Sequence, residues 1–323
     1  LISFLRIRNF KSIRSAEINC RRINILIGKP NSGKSNILEA IGLLSYIGFG
    51  GDAVRYLRTG ITRELFYDKD ISNEMSIQTD VAEINAVGEG VHVKWHWKVI
   101  KPETEESVLS GPDGNPPSPP TGRIGEAFKV FRFYRYFKPG EKSEPIDYLR
   151  PPYGSNLLGI LYSNSKLRKI VGAFFEEFGY NLIIKPDEKR LEILKIMDGI
   201  GVSLGINLVS ETLLRMVFNF AVIESNKNAI IALEEPESHA FPFYVKLLAK
   251  TIADDKDNQY FISTHNPYFL ITILEKAPKN DVNIIVTDYS NYETKVRLVP
   301  ENKFPEILSK DIDIFFNLDM LFR

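Results

Sequence analysis

Eight consecutive residues, Gly28-Lys29-Pro30-Asn31-Ser32-Gly33-Lys34-Ser35, carry the clearest chemistry in the chain. They fit the phosphate-loop pattern G-x-x-x-x-G-K-[ST] at every specified position. In such a loop, backbone N–H groups and the positive end of the following helix point at a bound phosphate. Lys34 would reach the β- and γ-phosphates of a nucleoside triphosphate, and the Ser35 hydroxyl would ligate Mg²⁺. A second cluster, Glu234-Glu235-Pro236-Glu237, follows the apolar run Ala229–Leu233. Adjacent carboxylates at the end of a buried strand are unfavourable unless a cation or polar ligand meets them. Glu234 is therefore expected to hold the hydration shell of Mg²⁺, and Glu235 to polarise an attacking water. A solvated acidic turn is the plainer alternative; the clean apolar run before it argues for a strand. A third cluster, Ser263-Thr264-His265-Asn266-Pro267, ends the run Gln259–Ile262. The carboxyl end of a core strand is where open α/β sheets place ligands, so His265 is the candidate γ-phosphate sensor. His92, His96 and His239 lack that setting.

Elements must exist to bring these clusters together. Ile23–Ile27 is an apolar run of buried-strand length, and Ile37, Leu38, Ile41 and Leu44 recur at helical spacing after the loop. Strand, loop and helix in that order are the context the pattern requires. Ile2–Phe10 alternates as a strand, with Glu17–Asn19 as a further one; Met75–Val87 and Gly90–Ile100 read as an antiparallel pair. Lys101–Gly125 is rich in Pro and Gly with little apolar content, and is expected to be a mobile loop. Phe128–Phe137 interleaves aromatics with Lys129, Arg132 and Arg135. That pattern suits stacking on single-stranded nucleic acid, although alternation in a core strand produces it too. Pro151–Leu158 leads into a helix, Lys166–Phe178 is amphipathic, and Asn181–Lys185 with Leu191–Met197 suggests a hairpin. Ser210 can cap a helix running through Met216, Val217, Phe220 and Ile223.

Composition narrows the class without naming it. The 323 residues are 44% hydrophobic and 25% charged, with 41 basic and 41 acidic side chains. Such a balance supplies no global field toward nucleic acid or an anionic membrane, so any such contact needs a local patch. One cysteine, Cys20, excludes an internal disulfide and a cysteine metal site. The apolar run near Ile41–Gly51 is too short and glycine-rich to span a bilayer, no signal peptide is expected, and cytoplasmic residence fits.

Taken together, these pieces resemble the ABC-type ATPase heads of the SMC/RecF and overcoming-lysogenization-defect (OLD) group, of an archaeal standalone kind. Leu5–Ile13 is similar to that group's N-terminal strand, and Gly28–Ser35 with Asn36–Ile41 to its Walker A loop and first helix. Glu234–Glu237 with Phe241-Pro242 resembles its Walker B and D-loop, and Ser263–Tyr268 its switch-histidine loop; Pro151–Leu158 is also similar to a loop found there. The resemblance implies an α/β fold: a P-loop NTPase of ABC-ATPase head type, its mixed sheet flanked by helices, with an N-terminal antiparallel β subdomain and a helical/β insertion. The expected division is residues 1–100 and 207–323 as the two parts of the head, 101–125 as a flexible loop, and 126–206 as the insertion. It further implies ATP with Mg²⁺, an ATP-dependent homodimer, and DNA and a separately encoded effector as partners. In that group the signature helix donates its N-terminus to the partner's γ-phosphate, which makes Ser210 a nucleotide-binding candidate; Asn36, at the start of the helix after the Walker A loop, joins the loop residues as another.

Three departures accompany the resemblance. The signature glycine is replaced by Glu211, a carboxylate that would repel phosphate unless a cation such as Arg215 pairs with it. Walker B carries Glu234 where Asp is usual. No Q-loop glutamine stands out; Gln78 reads better as a plain strand residue. These predict a slow ATP-driven switch in DNA metabolism or antiviral defence, with a non-hydrolysing nucleotide-gated interaction module as the alternative. Asp311 and Asp313 mimic a nuclease D-x-D pair, but the chain after His265 is too short for a domain around them.

Overall fold

The computed structural model describes residues 1–100, 103–137, 146–309, 315 and 318–322. Asp311 and Asp313 lie outside the described residues. Two six-stranded sheets face each other across one helix. The first is antiparallel in the order β2-β1-β4-β5-β6-β7, from β1 (Phe4–Phe10), β2 (Ile13–Asn19), β4 (Met75–Thr79), β5 (Ala82–Glu89), β6 (His92–Ile100) and β7 (Glu103–Ser110). The second runs β15-β14-β3-β13-β12-β8 and comprises β3 (Ile23–Gly28), β8 (Phe131–Tyr134), β12 (Ile230–Glu234), β13 (Gln259–Ser263), β14 (Val282–Ser290) and β15 (Glu293–Leu298). Its strands are parallel from β14 to β8, and β15 is antiparallel to β14.

Helix α1 (Lys34–Phe49) lies between the sheets, which is why residues from Ile37 to Ile47 are buried on every side rather than along one stripe. Short α2 (Val54–Leu57) and α3 (Gly122–Phe128) complete this layer. The opposite face of the parallel sheet, with Ile25, Ile231 and Ile262, packs under α4 (Leu157–Ser163), α5 (Ser165–Glu176), α6 (Glu211–Ser225), α7 (Pro242–Asp254) and α8 (Pro267–Lys276). A three-stranded antiparallel sheet, β11-β10-β9, stands beside α5; it comprises β9 (Asn181–Lys185), β10 (Arg190–Met197) and β11 (Ile200–Gly205). Helix α9 (Phe304–Leu308) follows β15. Both apolar runs that precede the acidic and histidine clusters are interior parallel strands, buried on both faces as continuous apolar runs require.

Several expectations need correction. Met75–Val87 is two strands, because the Thr79 hydroxyl accepts from Val81 N at 3.2 Å and Ala82 N at 3.0 Å and turns the chain there. Residues 103–110, expected in a mobile loop, form β7, whose edge position is held by backbone pairing to β6 and needs little apolar content. Beyond it, Pro116, Pro117 and Pro120 are buried, and the Tyr46 hydroxyl donates to the carbonyls of Pro116 and Pro117. The strand expected at Glu17–Asn19 begins at Ile13, and the hairpin at 181–197 gains β11. The aromatic–basic stretch is core: all four residues of β8 are buried, with Arg132 stacked 3.6 Å from the Tyr148 ring. Gln78 is a strand residue bonded to Glu83 at 2.7 Å. No helix among the described residues is long and apolar enough to cross a membrane.

Candidate functional site

The loop Gly28–Ser35 leaves the carboxyl end of β3 and enters α1. Gly33 takes a left-handed φ of 96°, and a Cβ there would come within 2.0 Å of the Thr294 hydroxyl; only glycine fits. Asn31 is also left-handed, at φ 60°. The Ser32 and Thr287 hydroxyls are 2.6 Å apart, so β14 braces one side of the loop. Asn36 donates to the Ser12 hydroxyl at 2.6 Å, and that hydroxyl lies 2.6 Å from Thr294 of β15. Lys34 donates to the loop's own carbonyls, Gly28 at 2.8 Å and Lys29 at 2.9 Å. Burial lowers its pKa, against the pull of Glu235 and Glu234. No side chain caps the start of α1, so its first N–H groups face the loop's interior with no side-chain acceptor. A cavity of about 420 Å³ opens there, with Lys29 and Pro30 outside its wall and Ser12, Arg58 and Tyr289 on its rim. A larger cavity of about 600 Å³, near Asn226 and Asp257, belongs to the opposite ends of β12 and β13 and holds none of these groups.

Strand register gathers the rest. Glu234 pairs with Ser263, and Ser263 with Leu26, so the acidic and histidine clusters arrive at the same sheet edge as the loop. Burial pushes the Glu234 carboxyl up, but the Ser35 hydroxyl and the guanidinium groups of Arg135 and Arg58 outweigh it and hold the group below its ordinary value. Glu235 has a left-handed φ of 44°, and its N–H donates to the Ser263 carbonyl at 3.0 Å, which turns its side chain out of the strand. His265 Nε2 lies 3.4 Å from Glu235 Oε1, and the Ser238 hydroxyl donates to Glu235 Oε2 at 3.2 Å. Burial and then Lys34 lower the His265 pKa, while Glu235 opposes them; the imidazole is neutral at pH 7. Helix α6 anchors the acidic turn, since Asn219 donates to the Pro236 carbonyl at 2.6 Å and Thr212 to the His239 carbonyl at 2.6 Å.

Ser210 stands apart. Its side chain accepts from Leu213 N as the cap of α6, and it makes no hydrogen bond to the loop among the described residues. Behind it, Glu211 is bridged to Arg215 at 2.8 Å, so the carboxylate at the helix start carries its own counter-charge.

Sequence reasoning missed the basic wall of the site. Lys11, Arg58 and Arg135 surround the wholly buried Glu39 of α1, and Arg135 also meets Glu234 at 3.0 Å. Glu39 sits among helix residues whose spacing announces burial, and a charged residue in that stripe was the available signal. Nothing local marks its partners. A hydroxyl beside a carboxylate is a donor set suited to Mg²⁺, which takes few protein ligands and keeps waters and phosphate oxygens. Among the described residues there is no cluster of three or more His, Cys, Asp or Glu that would hold a metal unaided.

Residues 1–85 match the AAA ATPase domain family AAA_15. Over 94% of this chain and 99% of the other, the structure superposes on the SmcHead solved bound to the C-winged helix domain of ScpA, with a TM-score of 0.52 at 16% identity. The chain has the SMC-head fold. A second such head, the SMC head domain from Thermotoga maritima, covers 93% of this chain and 99% of its own at 15% identity, with a TM-score of 0.44. No curated protein sequence matches the chain.

Proposed function

We propose that this SMC-type head binds ATP with Mg²⁺ and hydrolyses it slowly. Two copies would close on nucleotide and open after turnover, controlling a separately encoded effector in DNA metabolism or antiviral defence as in the OLD group. The observation that carries the reading is the meeting of Lys34, Ser35, Glu234, Glu235 and His265 at one sheet edge from three separate strand–loop units. The N–H groups of Gly28–Asn36 and the Lys34 ammonium would hold the phosphates. Bound Mg²⁺ would neutralise charge on the β- and γ-phosphate oxygens, held by Ser35 and Glu234. Glu235 would orient and polarise water, and neutral His265, beside Glu235, would hydrogen-bond the γ-phosphate without adding a charge. Ser210 would act across the dimer, where Arg215 relieves the repulsion from Glu211. The N-terminal AAA match and the SMC-head fold support this reading, and the ScpA-bound head is an example of such a fold carrying a separate protein.

Phosphate release and nucleotide binding test it together. Lys34→Ala should abolish ATP binding, and Glu235→Gln should retain ATP while slowing turnover at least about 100-fold. If both variants hydrolyse ATP like the parent, the assignment is wrong. Glu211, exposed at the helix start, favours the second reading of a non-hydrolysing nucleotide-gated module. ATP-dependent dimerisation on size exclusion without phosphate release would select it.

A further inference from the structure

The Glu234 carboxylate is already occupied by cations. Arg135, the first residue beyond β8, donates from Nε to Glu234 Oε2 at 3.1 Å, and its Nη2 lies 3.0 Å from the same oxygen. Arg58 Nη1 stands 3.9 Å from the other oxygen. The position of Arg135 is built in: Tyr134 is level with Leu233 in the sheet, so the next residue on each strand meets its neighbour. Its backbone N–H donates to the Pro152 carbonyl at 3.0 Å, and the guanidinium carbon lies 5.2 Å from the Phe133 ring centroid. The same Nη2 is 3.5 Å from Glu39 Oε1, and Glu39 is wholly buried. Arg135 therefore spans two carboxylates, Glu234 at the carboxyl end of β12 and the buried Glu39 of α1.

We propose that Arg135 is the resident counter-cation of Glu234, a positioning residue that a divalent metal must displace, with Glu39 receiving the guanidinium when it moves. This rests on the reading of Glu234 as the metal-facing carboxylate. Like charges would otherwise share one partly buried carboxylate, so a guanidinium held there opposes metal entry. The ion pair also spares the site an unpaired buried charge before nucleotide arrives. Free metal would then bind the nucleotide-free head weakly, and the phosphates, by bringing ligands and negative charge, would tip the exchange. The device makes metal and nucleotide arrive as a unit.

Mn²⁺ binding to the nucleotide-free full chain, followed by loss of the free-ion EPR signal, tests this without relying on turnover. Arg135→Met, which removes the charge and cannot ligate metal, should tighten Mn²⁺ binding about ten-fold. Arg135→Lys should return it toward the parent, and Glu234→Gln should abolish the tightened site. Should Arg135→Met fail to fold, Arg58→Met at the half-exposed second cation should tighten binding about two- to three-fold. Unchanged or weaker Mn²⁺ binding in the charge-removing variant, or tightened Mn²⁺ binding that persists when Glu234→Gln is added to it, overturns the proposal. Failure of the parent to bind ATP in the presence of Mg²⁺ would instead sink the nucleotide reading, and the two failures are separately visible.

Discussion

Glu234 and Glu237 belong to one turn, and the two sides of that turn treat a buried carboxyl in opposite ways. Burial raises both. Around Glu234, the Ser35 hydroxyl and two guanidinium groups reverse the effect and leave the carboxyl below its ordinary value. Around Glu237, the Thr264 hydroxyl and backbone N–H groups are uncharged partners, and neighbouring Glu235 adds repulsion, so the carboxyl is pushed up to about 7. Its Oε2 has no hydrogen-bond partner among the described residues. Counter-charge separates the two, and Glu237 is also the more deeply buried. The cation-lined side keeps a carboxylate paired with guanidinium groups. The other side keeps a carboxyl that burial pushes up to about 7 and that ties the acidic turn to the histidine loop.

Breaking the cation-lined side should cost most. Glu39→Ala removes the carboxylate shared by Lys11, Arg58 and Arg135, leaving the largely buried Lys11 without its partner and Arg135 with Glu234 alone. A loss of about 3–5 kcal/mol is expected in urea denaturation. A loss below about 1 kcal/mol would mean that the cations relax into solvent, and the contrast with Glu237 would lose its basis.

The uncharged side should instead reveal itself through pH. The folded chain keeps Glu237 protonated up to about 7, whereas the unfolded chain ionises it near 4.5. Between those values the unfolded state binds fewer protons, so this group's stabilising contribution is complete below about 4.5 and is lost as pH rises to about 7. The full change is about 3 kcal/mol for a displacement of that size. Glu237→Gln, which cannot ionise, should flatten the stability profile across that window relative to the parent. Parallel profiles for the two proteins would show that Glu237 does not carry the slope.

That contrast explains why the sequence disclosed one part of the site and hid another. Gly28–Ser35 is legible because strand, loop and helix are contiguous and the chemistry is local. The strands ending at Glu234 and Ser263 are legible because parallel strands buried on both faces are apolar without interruption. Arg135 and Glu234 meet only through the β8–β12 register across 99 residues, and Arg58 and Lys11 reach Glu39 from separate turns. Thr294 touches Gly33 because β15 folds back beside β14. No local period records such meetings. Likewise β7 escaped notice because an edge strand is specified by backbone pairing, which Glu and Ser satisfy as well as Val. Glu237, in contrast, looked like a third acid in a cluster, and its burial among uncharged partners is what distinguishes its role.

The smallest expected effect isolates one hydroxyl on the uncharged side. Thr264 donates to Glu237 Oε1, and that hydrogen bond favours the ionised carboxyl. Thr264→Val keeps the side-chain shape and removes the donor, so stability should fall by about 1 kcal/mol. The loss should not be uniform in pH. Without Thr264 the Glu237 carboxyl rises further, its protonated form persists to higher pH, and the window over which stability declines extends upward. Denaturation at pH 5 and pH 8 should therefore show a larger deficit at pH 8. Equal deficits at both values would mean that Thr264 serves the packing of the histidine loop and leaves the proton on Glu237 unaffected, and the uncharged side of the turn would be governed by burial alone.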